Sequence, residues 1–351
     1  MINCARYVSN GRDVFYPHPW LRNGHVMTIV SNFAARKFTS LDQTPVVSRL
    51  FDVGEDSSVL GQCHWQSDGG RHPTILIVHG LEGSAERSYV RGTAEKAWSA
   101  GFNVVRMNMR NCGNTEHLSP TLYDSGLSRD LARVAQGILE ELKNPDAGIF
   151  VIGFSMGGNQ ALKLAGEVGH SPPSWLKGIV AISPALDLAA CSVAIHRGFN
   201  RVYEMRFLHS LLRRMRRKAR VYPERYDLSG LWSVRSLRDF DEVFTGPCQG
   251  YGNADEYYAK ASAIRVADRI SVPTMIIQAR DDPFVPFACL NHPFIRNNPH
   301  IRLIMSQHGG HVGFIGCDGS RRNGEDRFWA ENRAVEFCRE QWKLMSSSGG
   351  H

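Results

Sequence analysis

The chain has 351 residues, of which 42% are hydrophobic and 21% charged, with a net charge of +7. That balance belongs to a folded globular protein with a large core, and it excludes disordered, collagen-like and membrane-spanning classes; no apolar run approaches the ~18 residues a spanning helix needs. The positive excess is local, because residues 196–226 hold ten Arg or Lys against two Glu, so no nucleic-acid partner is expected.

The first fifteen residues lack the basic start and apolar stretch of a secretory signal, so a cytoplasmic location is expected. Segments 45–53 and 58–65 alternate apolar and polar residues and predict two strands, an antiparallel start. The short apolar run Thr74–Val78 predicts a buried strand, and 85–100 a helix. Then follow a strand over 103–109, a helix over 124–143, the strand Ile149–Phe154, a helix over 156–167 and the strand Leu176–Ile182. Strands over 273–279 and 301–305 and a helix over 327–344 complete the series. Apolar strands alternating with amphipathic helices predict an α/β architecture of about eight strands, mostly parallel and flanked by helices.

The rhythm breaks between Leu186 and Ser262, where aromatic residues and the basic run replace strand patterns. The aromatics argue against disorder. The expected layout is a core of 1–185 and 263–346, a helical cap insertion over 186–262 and a flexible tail over 347–351. The eight cysteines, Cys4, Cys63, Cys112, Cys191, Cys248, Cys289, Cys317 and Cys338, are scattered without a C-x-x-C pair. They read as reduced, mostly buried thiols, neither a disulfide framework nor a zinc site.

Gly153-Phe154-Ser155-Met156-Gly157 matches G-x-S-x-G, with an apolar strand before it and a helix after it. Reversing the chain so tightly strains the serine backbone and demands small neighbours, and it leaves the hydroxyl at a helix N-terminus. Ser155 is therefore the candidate nucleophile. The free N–H of Met156 is a candidate oxyanion donor. His79-Gly80-Leu81-Glu82-Gly83 closes an earlier strand, and the Leu81 N–H is the second candidate donor. His79 reads as structural, because a later histidine suits the order nucleophile, acid, base.

Asp281-Asp282-Pro283 follows one late strand, and His308-Gly309-Gly310-His311 follows the next. Both pairs therefore stand at the carboxyl edge of the sheet with Ser155. The two glycines let the loop bring His311 inward, and Val312 and Phe314 can anchor it; His308 would cap the strand end. Asp282 is taken as the acid, with Asp281 as a neighbouring loop carboxylate.

These motifs resemble the YheT-like branch of the α/β-hydrolases, a group related to eukaryotic abhydrolase-domain lipases. The likeness runs from about Pro17 to Cys338. It includes Pro19-Trp20-Leu21-Arg22-Asn23-Gly24-His25, His79-Gly80-Leu81-Glu82-Gly83-Ser84, Gly153–Gly158, Asp281-Asp282-Pro283-Phe284, Gly309–Phe314, Arg238-Asp239-Phe240-Asp241 and Tyr257-Tyr258. Met27 stands where relatives usually carry Gln, and Asn111-Cys112-Gly113 where they tend to carry Arg-Gly. The resemblance implies an α/β-hydrolase fold and a Ser155, Asp282, His311 triad. It also implies cleavage of carboxylic esters, from short-chain esters to acylglycerol-type lipids, without metal or organic cofactor. Acyl transfer through the same acyl-enzyme and lipid binding without catalysis are the rival functions.

Residues 207–220 have helical character. Phe207, Leu208, Leu211, Leu212 and Met215 share one face, with basic residues largely opposite. A solvated basic face over a cap is the simpler expectation. Peripheral contact with an anionic membrane through this basic cap is the functional one.

Overall fold

The computed structural model describes residues 13–145, 147–317 and 324–348. Cys4, the first twelve residues of the N-terminal segment and 349–351 of the expected tail lie outside the described residues.

Strands β1 (Val47–Gly54) and β2 (Ser57–His64) pair antiparallel. They join through a turn in which Gly54, Glu55 and Asp56 all have positive φ. The six apolar runs become β3 (Thr74–Val78), β4 (Asn103–Met107), β5 (Ile149–Phe154), β6 (Leu176–Ile182), β7 (Thr274–Ala279) and β8 (Ile301–Ser306). All eight form one sheet in the order β1-β2-β4-β3-β5-β6-β7-β8. β2 meets β4 antiparallel, and β4 to β8 are parallel throughout.

Side-chain alternation explains why the central strands are apolar along their whole length. Ile75, Ile77, Phe150, Ile152, Val180 and Ile182 face one way, into a core shared with α2 (Ser88–Ser99) and α8 (Trp329–Ser348). Leu76, Val78, Val105, Val151, Ile179 and Ala181 face the other, against α3 (Ser128–Leu142) and α4 (Met156–Val168). Each fully buried Val, Leu or Ile contributes about 1.5–3 kcal/mol, so covering both faces accounts for the choice of residues. A short N-terminal helix, α1 (Gly24–Phe33), buries Met27 in the first core.

Several helix boundaries differ from expectation; the helix expected from residue 85 begins at Ser88. The helix expected from residue 124 begins at Ser128, because Asp124 is taken up by Gly126 N–H, Gln249 and Tyr251. The last helix runs through Ser348, so the first two residues of the expected tail are helical.

Between β6 and β7 the chain forms α5 (Leu188–Ile195), α6 (Arg201–Val221), α7 (Ala254–Ala261) and shorter helical turns. Leu188, Ile195, Phe207 and Tyr258 from these helices line the same cavity as Ser155. The basic residues of α6 divide. Arg213, Arg216 and Arg220 are exposed, whereas Arg214 and Lys218 are buried. Lys218 Nζ donates to Asn111 Oδ1 at 2.7 Å, to the Glu116 carbonyl at 3.0 Å and to the Ser119 carbonyl. The loop after β4 thus absorbs charge that helical periodicity assigned to solvent.

Candidate active site

Ser155 is the single residue between β5 and α4, at φ 54° and ψ −115°. No helix or strand tolerates that conformation; crowding around the bend holds it there. A Cβ on Gly157 would sit 2.5 Å from the His79 carbonyl oxygen, and one on Gly153 would strike the Gly157 carbonyl. The glycines of G-x-S-x-G are therefore required by close approach between strand, helix and the neighbouring loop.

His311 Nε2 lies 2.9 Å from Ser155 Oγ. Its Nδ1 lies 2.9 Å from Asp282 Oδ2 and 3.1 Å from Oδ1. The Asp282 carboxylate is fully buried. It accepts the N–H groups of Phe284 at 2.8 Å and Val285 at 3.1 Å, and Gln278 Nε2 at 3.0 Å. Four donors around a buried carboxylate compensate its lost hydration. The Phe284 ring packs 4.5 Å from the imidazole.

Asp281 and His308 take other places. Asp281 Oδ1 accepts the Gly310 N–H at 2.9 Å, and Oδ2 lies 3.5 Å from His308 Nδ1. The Asp281 carboxyl is raised, chiefly by burial, against the lowering effect of the Gly310 N–H. Asp281 therefore shapes the histidine loop and does not reach the imidazole of His311. That loop is strained, with positive φ at Gly309, Gly310, Val312 and Phe314. Two groups outside the sequence motifs hold it. The His311 N–H donates to Thr28 Oγ1 at 2.8 Å, and the Val312 N–H donates to Ser183 Oγ at 3.1 Å. Thr28 Oγ1 in turn donates to the Gly24 carbonyl of α1.

The loop after β3 lies beside the bend, where a Cβ on Gly80 would be 3.7 Å from Ser155 Oγ. Among the described residues, no acceptor takes the N–H of Leu81 or of Met156. His79 is fully buried. Its Nδ1 bonds the Gly80 carbonyl at 2.8 Å, and its Nε2 accepts the Met109 N–H at 3.1 Å. Both ring nitrogens are thereby used, and burial pushes its pKa down to about 4. It is a neutral imidazole that bonds the loop to β4's end.

Glu82, next to Leu81, has φ 54°. Its carboxylate accepts from Tyr123 Oη and Arg214 Nε, each at 2.7 Å, and from Ser210 Oγ. Burial alone would raise this carboxyl, but Arg214 and the two hydroxyls hold it below the ordinary range. The motifs assign no role to Glu82, which stands within one of them, nor to Thr28, Ser183 and Gln278, which lie outside them. Glu82, Thr28 and Ser183 act through contacts with distant parts of the chain, whereas Gln278 reaches Asp282 within the same strand-end loop.

Ser155 and His311 open into a cavity of about 310 Å³. Its wall is largely apolar, with Phe33, Leu188, Ile195, Phe207, Phe284 and Val285 among the lining residues. Asp241 also faces it; burial pushes its carboxyl up to about 6, and it accepts from Tyr258 Oη at 2.8 Å. Among the described residues, no group of three His, Cys, Asp or Glu is placed to hold a metal ion. No helix among them is long and apolar enough to cross a membrane.

Residues 73–316 match the family described as alpha/beta hydrolase fold. YheT of Escherichia coli (strain K12) is similar, 32% identical over 325 residues that cover 92% of each chain. The phospholipase ABHD3 of Mus musculus is 29% identical over 310 residues, 86% of this chain and 74% of that one. The Pyrococcus furiosus esterase Pf2001 superposes with a TM-score of 0.57 at 18% identity, covering 93% of this chain and 98% of that one, a likeness of fold.

Proposed function

The chain belongs to the α/β-hydrolase family, in its YheT-like branch, and from that premise we propose that it is a serine esterase acting on carboxylic esters with an apolar acyl part. One observation carries this: an unbroken hydrogen-bonded line from Ser155 Oγ through His311 to Asp282, at the wall of an apolar cavity.

The chemistry follows from the roles those groups can take. An ester enters with its acyl chain along the apolar wall. Ser155 Oγ attacks the carbonyl carbon while His311 Nε2 takes its proton. Asp282 holds the imidazole with Nδ1–H toward the carboxylate, and its charge stabilises the imidazolium. The carbonyl oxygen becomes an oxyanion, which the N–H groups of Leu81 and Met156 receive. Both donors are set before the reaction, so they stabilise the charge without reorganising. The intermediate collapses, the C–O bond breaks, and the alcohol leaves with the proton from His311. Water then repeats the sequence on the acyl-enzyme, releasing the acid.

The mouse relative is named a phospholipase, and the cavity's lining suits the acyl chain of a lipid ester. Labelling with a fluorophosphonate probe, together with hydrolysis of p-nitrophenyl esters of increasing acyl length, tests the proposal. Wild-type protein is expected to label at Ser155 and turn over, and Ser155→Ala to do neither. A folded wild-type protein that resists the probe and cleaves no ester would overturn it.

A further inference from the structure

Two segments at the rim of the cavity turn apolar stripes outward. On α1, Val26, Ile29, Val30 and Phe33 fall at spacings of three and four, one face of a helix, and all four are exposed, Phe33 to 73%. At the start of α6, Phe199, Val202 and Met205 recur every third residue and are also exposed. The stripes are neighbours. His25 packs edge-on against Phe199 at 5.0 Å, stacks on Tyr203 at 5.8 Å and bonds Tyr203 Oη at 3.2 Å. Ile29 and Phe33 from one side and Tyr203 from the other line the cavity. A single apolar face therefore borders the entrance to Ser155. Trp20, 85% exposed, stands one turn before α1.

The exposed charges carried by the two segments themselves have one sign, although the part-buried Asp281 carboxylate lies beside the start of α1. No Asp or Glu occurs between residues 14 and 41. Between 188 and 223 the sole acid is Glu204, which is buried and bonded to His196 at 2.7 Å. Arg22, Arg197 and Arg201 are exposed and form no ion pair with a described residue. Apolar stripes flanked by cations, with an aromatic at the edge, are the chemistry of a segment lying in the boundary of an anionic bilayer.

We propose that this face docks on an anionic lipid surface, so that the cavity receives its ester from the membrane. The substrate part rests on the esterase proposal; the docking does not. The contact lies on α1 and the start of α6 and not along the whole basic run 207–220, because Arg214 and Lys218 are buried against the loop after β4.

Flotation with vesicles tests it, using Ser155→Ala protein so that turnover plays no part. The protein is expected to float with vesicles of phosphatidylcholine mixed with phosphatidylglycerol, and far less with phosphatidylcholine alone. Val30→Ser, Val202→Ser and Met205→Ser together, none of them lining the cavity, should lower partitioning about tenfold. The same three changes on the Ser155 background should leave hydrolysis of a soluble p-nitrophenyl ester intact, which shows that the variant folds. Arg22→Glu with Arg201→Glu should abolish the preference for the anionic vesicles. Failure of the parent to float, or equal flotation of parent and variants, overturns the docking and leaves ester cleavage standing. So does a parent that is dimeric in sedimentation while the triple-serine variant is monomeric, since the face would then cover a second copy. Flotation without ester cleavage would support docking and count against the esterase proposal alone.

Discussion

Arg214 Nε donates to Glu82 Oε1 at 2.7 Å across 132 residues of sequence, and both side chains are buried. Glu82 directly follows Leu81, whose N–H faces the oxyanion position in the proposed mechanism. The pair therefore fastens α6, which covers the cavity, to the loop beside the nucleophile. Removing one member of a buried pair leaves the other charge uncompensated, at a cost of about 3–5 kcal/mol. Arg214→Met is expected to lower kcat about ten- to a hundredfold through a misplaced donor, with KM changing less. Steady-state kinetics on a soluble ester check the split. Arg214→Met with Glu82→Gln, which removes the stranded charge, should regain stability in urea unfolding but not full kcat.

The two neighbouring acids separate by substitution. Asp282→Asn is expected to lower kcat by about 10⁴, since an amide at that place favours the wrong tautomer of His311. Among the described residues Asp281 reaches the Gly310 N–H and the vicinity of His308, so Asp281→Asn should cost on the order of tenfold or less. Equal losses at both positions in single-turnover rates would contradict the roles assigned to them.

Thr28→Val removes the oxygen that accepts the His311 N–H and donates to the Gly24 carbonyl. The lost bonds cost about 1–3 kcal/mol, expressed both as stability and as a looser imidazole. Activity should fall about tenfold or more while fluorophosphonate labelling slows but persists. Unchanged kcat would mean that the loop's own strain suffices to place His311.

His79 supplies a pH signature. Its folded pKa of about 4 lies below the ordinary value of 6.5, with burial as the cause. The unfolded chain thus gains a proton at this residue below pH 6.5 that the folded chain resists until about pH 4. The wild type loses on the order of 3 kcal/mol across that window through this residue. His79→Gln removes the titration. Its destabilisation relative to wild type should therefore be larger at pH 7 than at pH 4.5 in urea unfolding. A difference that stays constant or grows on acidification would refute the buried neutral imidazole.

Gly157→Ala places a methyl against the His79 carbonyl at the bend. Rigid backbone on both sides leaves no room, so a cost of at least about 1–3 kcal/mol is expected in thermal unfolding. An alanine tolerated without loss would show that helix and strand can separate at Ser155.

Much was legible because it depends on local chemistry. Apolar runs the length of a strand marked the sheet. A serine between glycines, entered from such a run, marked the bend; glycines before His311 marked a loop able to turn inward. Helix starts were less legible, as at Asp124, whose side chain is claimed by Gln249 and Tyr251 from far along the chain. The fate of Arg214 and Lys218 was hidden for a related reason. Periodicity tells which residues share a helix face, but not which polar groups await that face.

By itself, then, the sequence determined the order of strands and helices and the residue types at the sheet's carboxyl edge, since backbone geometry, burial and close packing act over a few neighbours. Only the tertiary structure decided that Asp282 and not Asp281 meets His311, that Thr28 and Ser183 brace the histidine loop, that Glu82 ties the nucleophile's surroundings to α6, and that two apolar stripes meet at the cavity's entrance. Those are contacts between segments remote in the chain, and their partners are chosen by how the layers pack.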